Sequence, residues 1–275
     1  MAKKNFRDKK NTGAFGQKEI RRTVTKGQLE EAMDSEDVIG MRLNKFVAHC
    51  GVASRRNAAD MVKSGKIMVN DEVVTEPFYQ IKENDVVKLD GKVINPESKK
   101  VYLLLNKPKN VITTTSDEKG RTTVMEIIGE KVAERIFPVG RLDRDTTGLL
   151  LLTNDGDLAQ KLAHPSHKIQ KVYLVTLDKN VSPEHLDAIS KGLKLDDGLA
   201  PVDKVGYNKP DSKNEVLIEI HIGRNRIVRR IFETLGYEVK KLDRLYYAGL
   251  TKKELPRGQF RFLTDREVTM LKHFV

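Results

Sequence analysis

The chain has little cysteine and no long apolar run, and both shortages narrow what it can be. A single cysteine, Cys50, excludes an internal disulfide and any thiolate-rich zinc site. Of the six histidines only His164 and His167 lie close in sequence, and no carboxylate–histidine cluster has the spacing of a metal cage. No stretch approaches the ~20 apolar residues that a membrane span needs, and the opening Met1-Ala2-Lys3-Lys4 lacks the apolar core of a signal peptide. The expectation is a cytoplasmic protein with no metal and no membrane anchor. Acidic residues are also in deficit, 39 against 50 Lys and Arg, which leaves a net charge of +11. Such a balance favours a polyanionic partner, nucleic acid ahead of an anionic membrane surface. The 275 residues, 39% apolar and 32% charged, give room for about two soluble domains, each with its own core.

Composition divides the chain into three. Residues 1–40 are rich in Lys and Arg as far as Lys26, with only Asp8 and Glu19 against them, and then turn acidic. Their scattered apolar residues cannot offset the entropy of ordering, so a disordered basic tail is expected, suited to lying along phosphates. Residues 41–100 read as a small compact unit. Leu43, Phe46 and Val47 have helical spacing, and Gly51 follows as a stop. Ser54 is placed to cap a second helix that Gly65 ends, and the turn pair Asn70-Asp71 joins Ile67–Val69 to Val73-Val74 as a hairpin. Its basic residues Arg42, Lys45, Arg55, Arg56 and Lys63 are assigned to the two helices.

From residue 101 to 275 short strands alternate with helices. Val101–Leu105, Phe137–Val139, Leu149–Leu152, Val172–Leu177 and the stretch from Val216 to Ile222 read as strands. Helices are expected over 124–128, 158–163, after Ser182-Pro183, and from Arg226 to Leu235. A capping-box pattern, Thr264 with Glu267, opens a last one. The mixture predicts an α+β domain on a mostly antiparallel mixed sheet.

The most reactive-looking stretch is Gly140-Arg141-Leu142-Asp143-Arg144-Asp145-Thr146-Thr147-Gly148, which runs into the apolar Leu149–Leu152. A carboxylate beside two arginines is held ionised and can serve as a nucleophile. Asp143-Arg144-Asp145-Thr146-Thr147 also fits the Asp-x-Asp-x-Thr loop of a phosphatase, but the lead-in Phe137-Pro138-Val139-Gly140 is short and broken. A calcium loop would need Glu where Asn154 stands. The third reading is an aspartate nucleophile acting without a metal. Further on, Arg226, Arg229 and Arg230 form a basic stripe opposite Ile227, Val228, Ile231, Phe232 and Leu235, with Gly223-Arg224-Asn225 in front. Three arginines so close repel one another unless an anion sits nearby, either a phosphate or a carboxylate of the protein.

Two resemblances gather these pieces. Arg42-Leu43-Asn44-Lys45-Phe46, Gly51 to Arg56, and Gly65 to Asn70 resemble the S4 RNA-binding domain, which implies that Arg42, Lys45, Arg55, Arg56 and Lys63 dock on structured RNA. Leu105-Asn106-Lys107-Pro108, Gly140–Asp143 with Thr147–Leu151, Lys171-Val172-Tyr173, Gly223–Arg230 and Leu242–Leu250 resemble the RsuA-type family of bacterial ribosomal RNA pseudouridine synthases. That likeness implies isomerisation of a uridine in rRNA, more in the manner of the large-subunit (23S) branch, with no metal or cofactor. It makes Asp143 the nucleophile, Tyr173 the residue that stacks on the target base, and Arg229 the partner of the catalytic carboxylate. Arg141, Lys107, Asn225, Arg226, Arg230 and Leu245 would contact substrate, Arg141 as a wedge and Leu245 along the uracil pocket. Asp145 would only support the loop. Ile227 departs from the glutamine common in the family. The partners implied are rRNA or ribosomal precursor particles, met by a monomer. The competing reading is a non-catalytic ribosome-assembly factor that binds rRNA through the same surfaces.

Overall fold

The structure, a computed structural model, describes residues 38–274, so nearly all of the expected basic tail lies outside the described residues. The N-terminal unit begins with α1 (Leu43–His49) and α2 (Arg55–Lys63). Ser54 caps α2 by accepting a hydrogen bond from the Asn57 amide at 3.1 Å. β1 (Ile67–Val69) and β2 (Glu72–Val73) form the expected hairpin, whose turn residues Asn70 and Asp71 both take positive φ. β3 (Val87–Leu89) and β4 (Lys92–Val93) complete a sheet of order β2-β1-β3-β4. Leu43, Phe46, Val47, Ala58, Val62, Ile67 and Val87 bury together as its core.

The C-terminal unit is built on β5 (Tyr102–Lys107), β6 (Phe137–Pro138), β7 (Thr147–Thr153), β8 (Lys171–Leu177), the hairpin β9 (Leu193–Leu195) and β10 (Gly198–Ala200), β11 (Lys204–Tyr207), β12 (Glu215–Ile220), β13 (Val239–Tyr247), β14 (Leu250–Thr251) and β15 (Phe260–Phe262). The main sheet runs β11-β12-β8-β13-β7-β5-β15, with β14 on β13 and β6 on β7. Within it only β13 and β7 pair in parallel, so the mixed, mostly antiparallel sheet is as expected. The helices are α3 (Val124–Ile128), α4 (Gly156–Ala163), α5 (Pro183–Ser190), α6 (Ile227–Thr234) and α7 (Asp265–His273). α7 opens on the Thr264–Glu267 capping box read from the sequence.

The four-leucine run lies in β7 and is fully buried, because strand alternation sends its side chains to both faces. Leu150 and Leu152 join the core under α6, with Val175, Ile218 and Phe232. Leu149 and Leu151 join the opposite core under α4 and α7, with Leu158 and Leu271. Burying each such leucine is worth ~2 kcal/mol, so the strand that follows the Asp143 loop is anchored on two sides.

Three sequence readings need correcting here. β13, at the centre of the sheet, was not recognised as a strand, since Lys240, Lys241, Asp243 and Arg244 interrupt its apolar residues. The expected strand ending at Leu105 continues through Asn106 and Lys107. Arg226 is not part of α6: it precedes it in the left-handed region (φ 47), so only Arg229 and Arg230 of the stripe are helical.

The two units meet at a compact joint. Lys45 of α1 pairs with Asp157 of α4 at 2.7 Å. The Glu97 amide donates to the His49 carbonyl at 2.9 Å, and its carboxylate accepts from Asn154 Nδ2 at 2.7 Å.

Candidate active site

The Asp143 loop is held as backbone before its side chains are considered. Thr113 Oγ1 donates to the Leu142 carbonyl at 2.8 Å and accepts from the Leu142 amide at 3.2 Å. The Asn110 amide donates to the Arg144 carbonyl at 2.8 Å. Lys107 is fully buried, and its Nζ donates to the carbonyls of Thr146 (2.8 Å), Pro108 (3.0 Å) and Arg144 (3.4 Å). The loop is therefore gripped from β5 and the segment after it, which leaves the Asp143 carboxylate half-exposed at the end of a braced turn.

This carboxylate borders a cavity of ≈ 590 Å³ whose wall includes Arg141, Asp143, Tyr173, Asn225, Arg226 and Arg244. Tyr173 comes from β8, where strand alternation turns it inward at 8% exposure. Arg226 reaches the site because its left-handed backbone bends the chain just before α6, and its Nη1 stands 3.6 Å from Asp143 Oδ2. The sequence-predicted residues that the structure brings together are thus Asp143, Tyr173, Arg141, Asn225 and Arg226.

The others are placed elsewhere. Arg229 does not face Asp143: its Nη2 pairs with Asp145 at 2.7 Å and its Nη1 donates to the Val239 carbonyl at 3.0 Å. Arg230 leaves the cavity for the acidic turn of the β9–β10 hairpin, bonding Asp196 and Asp197. That contact holds the Asp197 carboxyl below its usual range. The anions that the arginine stripe requires are thus carboxylates of the protein. Lys107 braces the loop from behind, and its three acceptors are backbone carbonyls. Leu245 does not line the cavity; on β13 it is Leu242 that does, because the register keeps Leu242 and Arg244 on the Val175–Tyr173 side. In the N-terminal unit Arg42, Arg55, Arg56 and Lys63 are exposed, while Lys45 is committed to Asp157.

Arg244 and Lys171, which the sequence reading quoted within motifs but gave no role, also line the cavity. Lys171 Nζ donates to the carbonyls of Ile169 (3.0 Å) and His221 (2.7 Å), tying β8 to the loop that carries Arg226. Burial pushes its amine down to about 8, with Arg244 adding to the effect. Lys107 is likewise pushed down to about 8 by burial, against the opposing pull of Asp145 and Asp143.

A pH dependence follows for Lys107. Below about pH 8 it is charged in both the folded and unfolded states, and the cost of burying the charge is present in full. Between about 8 and its ordinary 10.5 the folded state sheds the proton first, so unfolding free energy rises with pH, by up to about 1.4 kcal/mol per unit. Cys50, whose thiol is pushed up to about 12 by burial, works in the opposite direction above pH 9. Denaturant unfolding from pH 7 to 10 should therefore show a wild-type slope more positive than that of Lys107→Met. Equal slopes would mean that Lys107 is not buried as a cation.

Among the described residues no group of His, Cys, Asp and Glu could hold a metal ion, and no helix is long and apolar enough to cross a membrane. Residues 101–234 match the model of the RNA pseudouridylate synthase family, and residues 41–87 match the S4 domain. The chain is 43% identical over 235 residues to ribosomal large subunit pseudouridine synthase B of Bacillus subtilis (strain 168), covering 84% of this chain and 95% of that protein. It is 36% identical over 230 residues to the dual-specificity RNA pseudouridine synthase RluF of Escherichia coli (strain K12), covering 83% of this chain and 77% of the relative. A crystal structure of a pseudouridylate synthase superposes with a TM-score of 0.61 at 29% identity, covering 84% of this chain and 99% of that one.

Proposed function

The chain belongs to the RNA pseudouridine synthase family, and on that premise we propose that it converts a uridine of ribosomal RNA, in the large subunit, to pseudouridine with Asp143 as the nucleophile. The observation that carries the reading is the cavity itself. It sets one half-exposed carboxylate on a braced loop against an aromatic ring and a flanking guanidinium. An isomerisation conserves every atom of the substrate, so the site needs a nucleophile, a platform and charge control rather than a second reactant. Asp143 supplies the first. Tyr173 offers a flat face for a base taken out of its stack, and a base deep enough to react must be flipped there. Arg226, in place of the Arg229 expected from sequence, is the cation that faces Asp143. Arg229 becomes a positioning residue, tying Asp145 of the loop to β13.

Affinity comes from the positive surface. Arg42, Arg55, Arg56 and Lys63 are exposed around α1 and α2, where phosphates of structured RNA can reach them. The protein acts as a cytoplasmic monomer on rRNA or its precursor particles. Joint replacement of Arg55 and Arg56 by Gln should weaken rRNA binding and lower the slope of log affinity against log salt by roughly 1 to 2. An unchanged slope in filter-binding titrations would remove α2 from the docking surface.

The decisive test of the function is a map of pseudouridines in rRNA from cells with and without the protein. One large-subunit position should lose its modification and regain it on complementation. An unchanged map would leave the rRNA-binding assembly factor as the better reading.

A further inference from the structure

Arg244 is a buried cation in the cavity wall with too few partners. It is 3% exposed, and among the described residues it has no carboxylate in ion-pair range. Its Nε donates to the Leu149 carbonyl at 2.7 Å, and its guanidinium carbon sits 4.6 Å from the centroid of the Tyr247 ring. Its Nη2 is buried and has no hydrogen-bond partner. The register places Arg244 opposite Tyr173 on the neighbouring strand, and both residues line the cavity. Lys171, two residues before Tyr173, adds a second cation to the same wall, with only backbone carbonyls as partners.

A buried donor left unpaired is costly, and more so when the group is charged. The fold keeps this one beside the very ring on which a base would stack. We propose that Arg244 donates from its guanidinium to a carbonyl oxygen of the flipped uracil and holds the negative charge that gathers on that ring during the reaction. This rests on the pseudouridine synthase reading above and assigns a further catalytic residue within it. Asp143 bonds C1′ as the C1′–N1 bond breaks, and that bond's electron pair stays on the base, spread over N1, O2 and O4. C5 then displaces the carboxylate from C1′, the C5 proton leaves, and N1 takes up a proton, so nothing is gained or lost overall. The charge on the ring is greatest midway, where a fixed donor in a dry wall acts most strongly. Arg226 cannot serve the same end, since it is turned toward Asp143 and Glu233.

The test pairs the protein donor with the substrate oxygen. A stem-loop RNA is built around the uridine found by the rRNA map, with uridine, 2-thiouridine or 4-thiouridine at that one position. Conversion is followed under single-turnover conditions by chromatography of the digested nucleosides. Sulfur is a poor acceptor, so wild type should slow by about 10-fold or more at one of the two thio positions, the cost of a lost charged hydrogen bond. Arg244→Met should be slow on uridine by about 100-fold and lose most of that discrimination, to about 3-fold or less. Arg244→Lys, which keeps the charge without the fork, should fall between. Each ratio is taken within one preparation, so a smaller folded fraction cancels. Arg244→Met and Arg244→Lys both showing the full wild-type sulfur effect, or Arg244→Met converting uridine at the wild-type rate, would overturn the proposal while leaving the enzyme's assignment intact. Wild-type protein that converts none of the three RNAs would sink both.

Discussion

Asp143→Asn is expected to reduce pseudouridine formation by at least about 10³-fold, with Asp143→Ala at least as low. The asparagine keeps the shape of the side chain and removes its charge, so the loss reads the nucleophile rather than the packing. Stability should hardly change. The carboxylate is half-exposed and its partner Arg226 is 3.6 Å away, a weak and solvated pair. Asp145→Asn is the informative control, because it sits on the same loop two residues on. Its carboxylate is engaged by the buried Arg229 at 2.7 Å and does not line the cavity. It should lose some thermal stability and no more than about 10-fold in single-turnover rate. Full activity in Asp143→Asn would remove the aspartate from the chemistry. Equal losses in both variants would mean that the loop's shape, and not its nucleophile, is being measured.

The second expectation concerns Gly148, where the loop enters β7. Gly148 pairs in parallel with Arg244 of β13, at a φ of +110 that side chains rarely adopt. A Cβ there would lie 2.3 Å from the Arg244 carbonyl oxygen and 2.5 Å from its amide nitrogen. Both atoms are backbone, so relief requires opening the β7–β13 contact at the centre of the sheet. Gly148→Ala should cost ~3 kcal/mol or more, equivalent to a fall of about 6–12 °C in Tm for a chain of this size. Gly140→Ala provides the comparison. Gly140 also has positive φ, at +71, but nothing lies within 4 Å of its added Cβ. It should cost only the ~1 kcal/mol of a left-handed alanine. Calorimetric scans that place the two variants within 1 °C of each other would refute the clash.

The sequence disclosed most where a local rule decides the outcome. Ser54, Gly65, Asn70-Asp71 and the Thr264–Glu267 pair all act within a few residues, and each does in the structure what its chemistry suggests. The Leu149–Leu152 run was legible because burial on both faces needs no alternation. The difficulties lie where partners come from far along the chain. β13 lies between two strands, and its charged Asp243 and Arg244 bond Thr147, Lys252 and Leu149, which no local pattern reveals. Arg229 and Arg230 were rightly seen to need anions, but the choice between Asp145 and Asp196-Asp197 is settled only by the fold. Leu245 was separated from Leu242 by strand register, and Arg226 from its helix by one left-handed residue. Lys107 looked like a substrate contact because the sequence does not show how deeply β5 is buried.

The joint between the two units has a bearing on target choice. Lys45 with Asp157, and Glu97 with His49 and Asn154, fasten α1 to the start of α4 and the end of β7. If the proposed docking of RNA on α1 and α2 holds, this fastening sets how far the gripped fold of the RNA stands from the cavity, and a uridine would be selected by its position in space as well as by the bases around it.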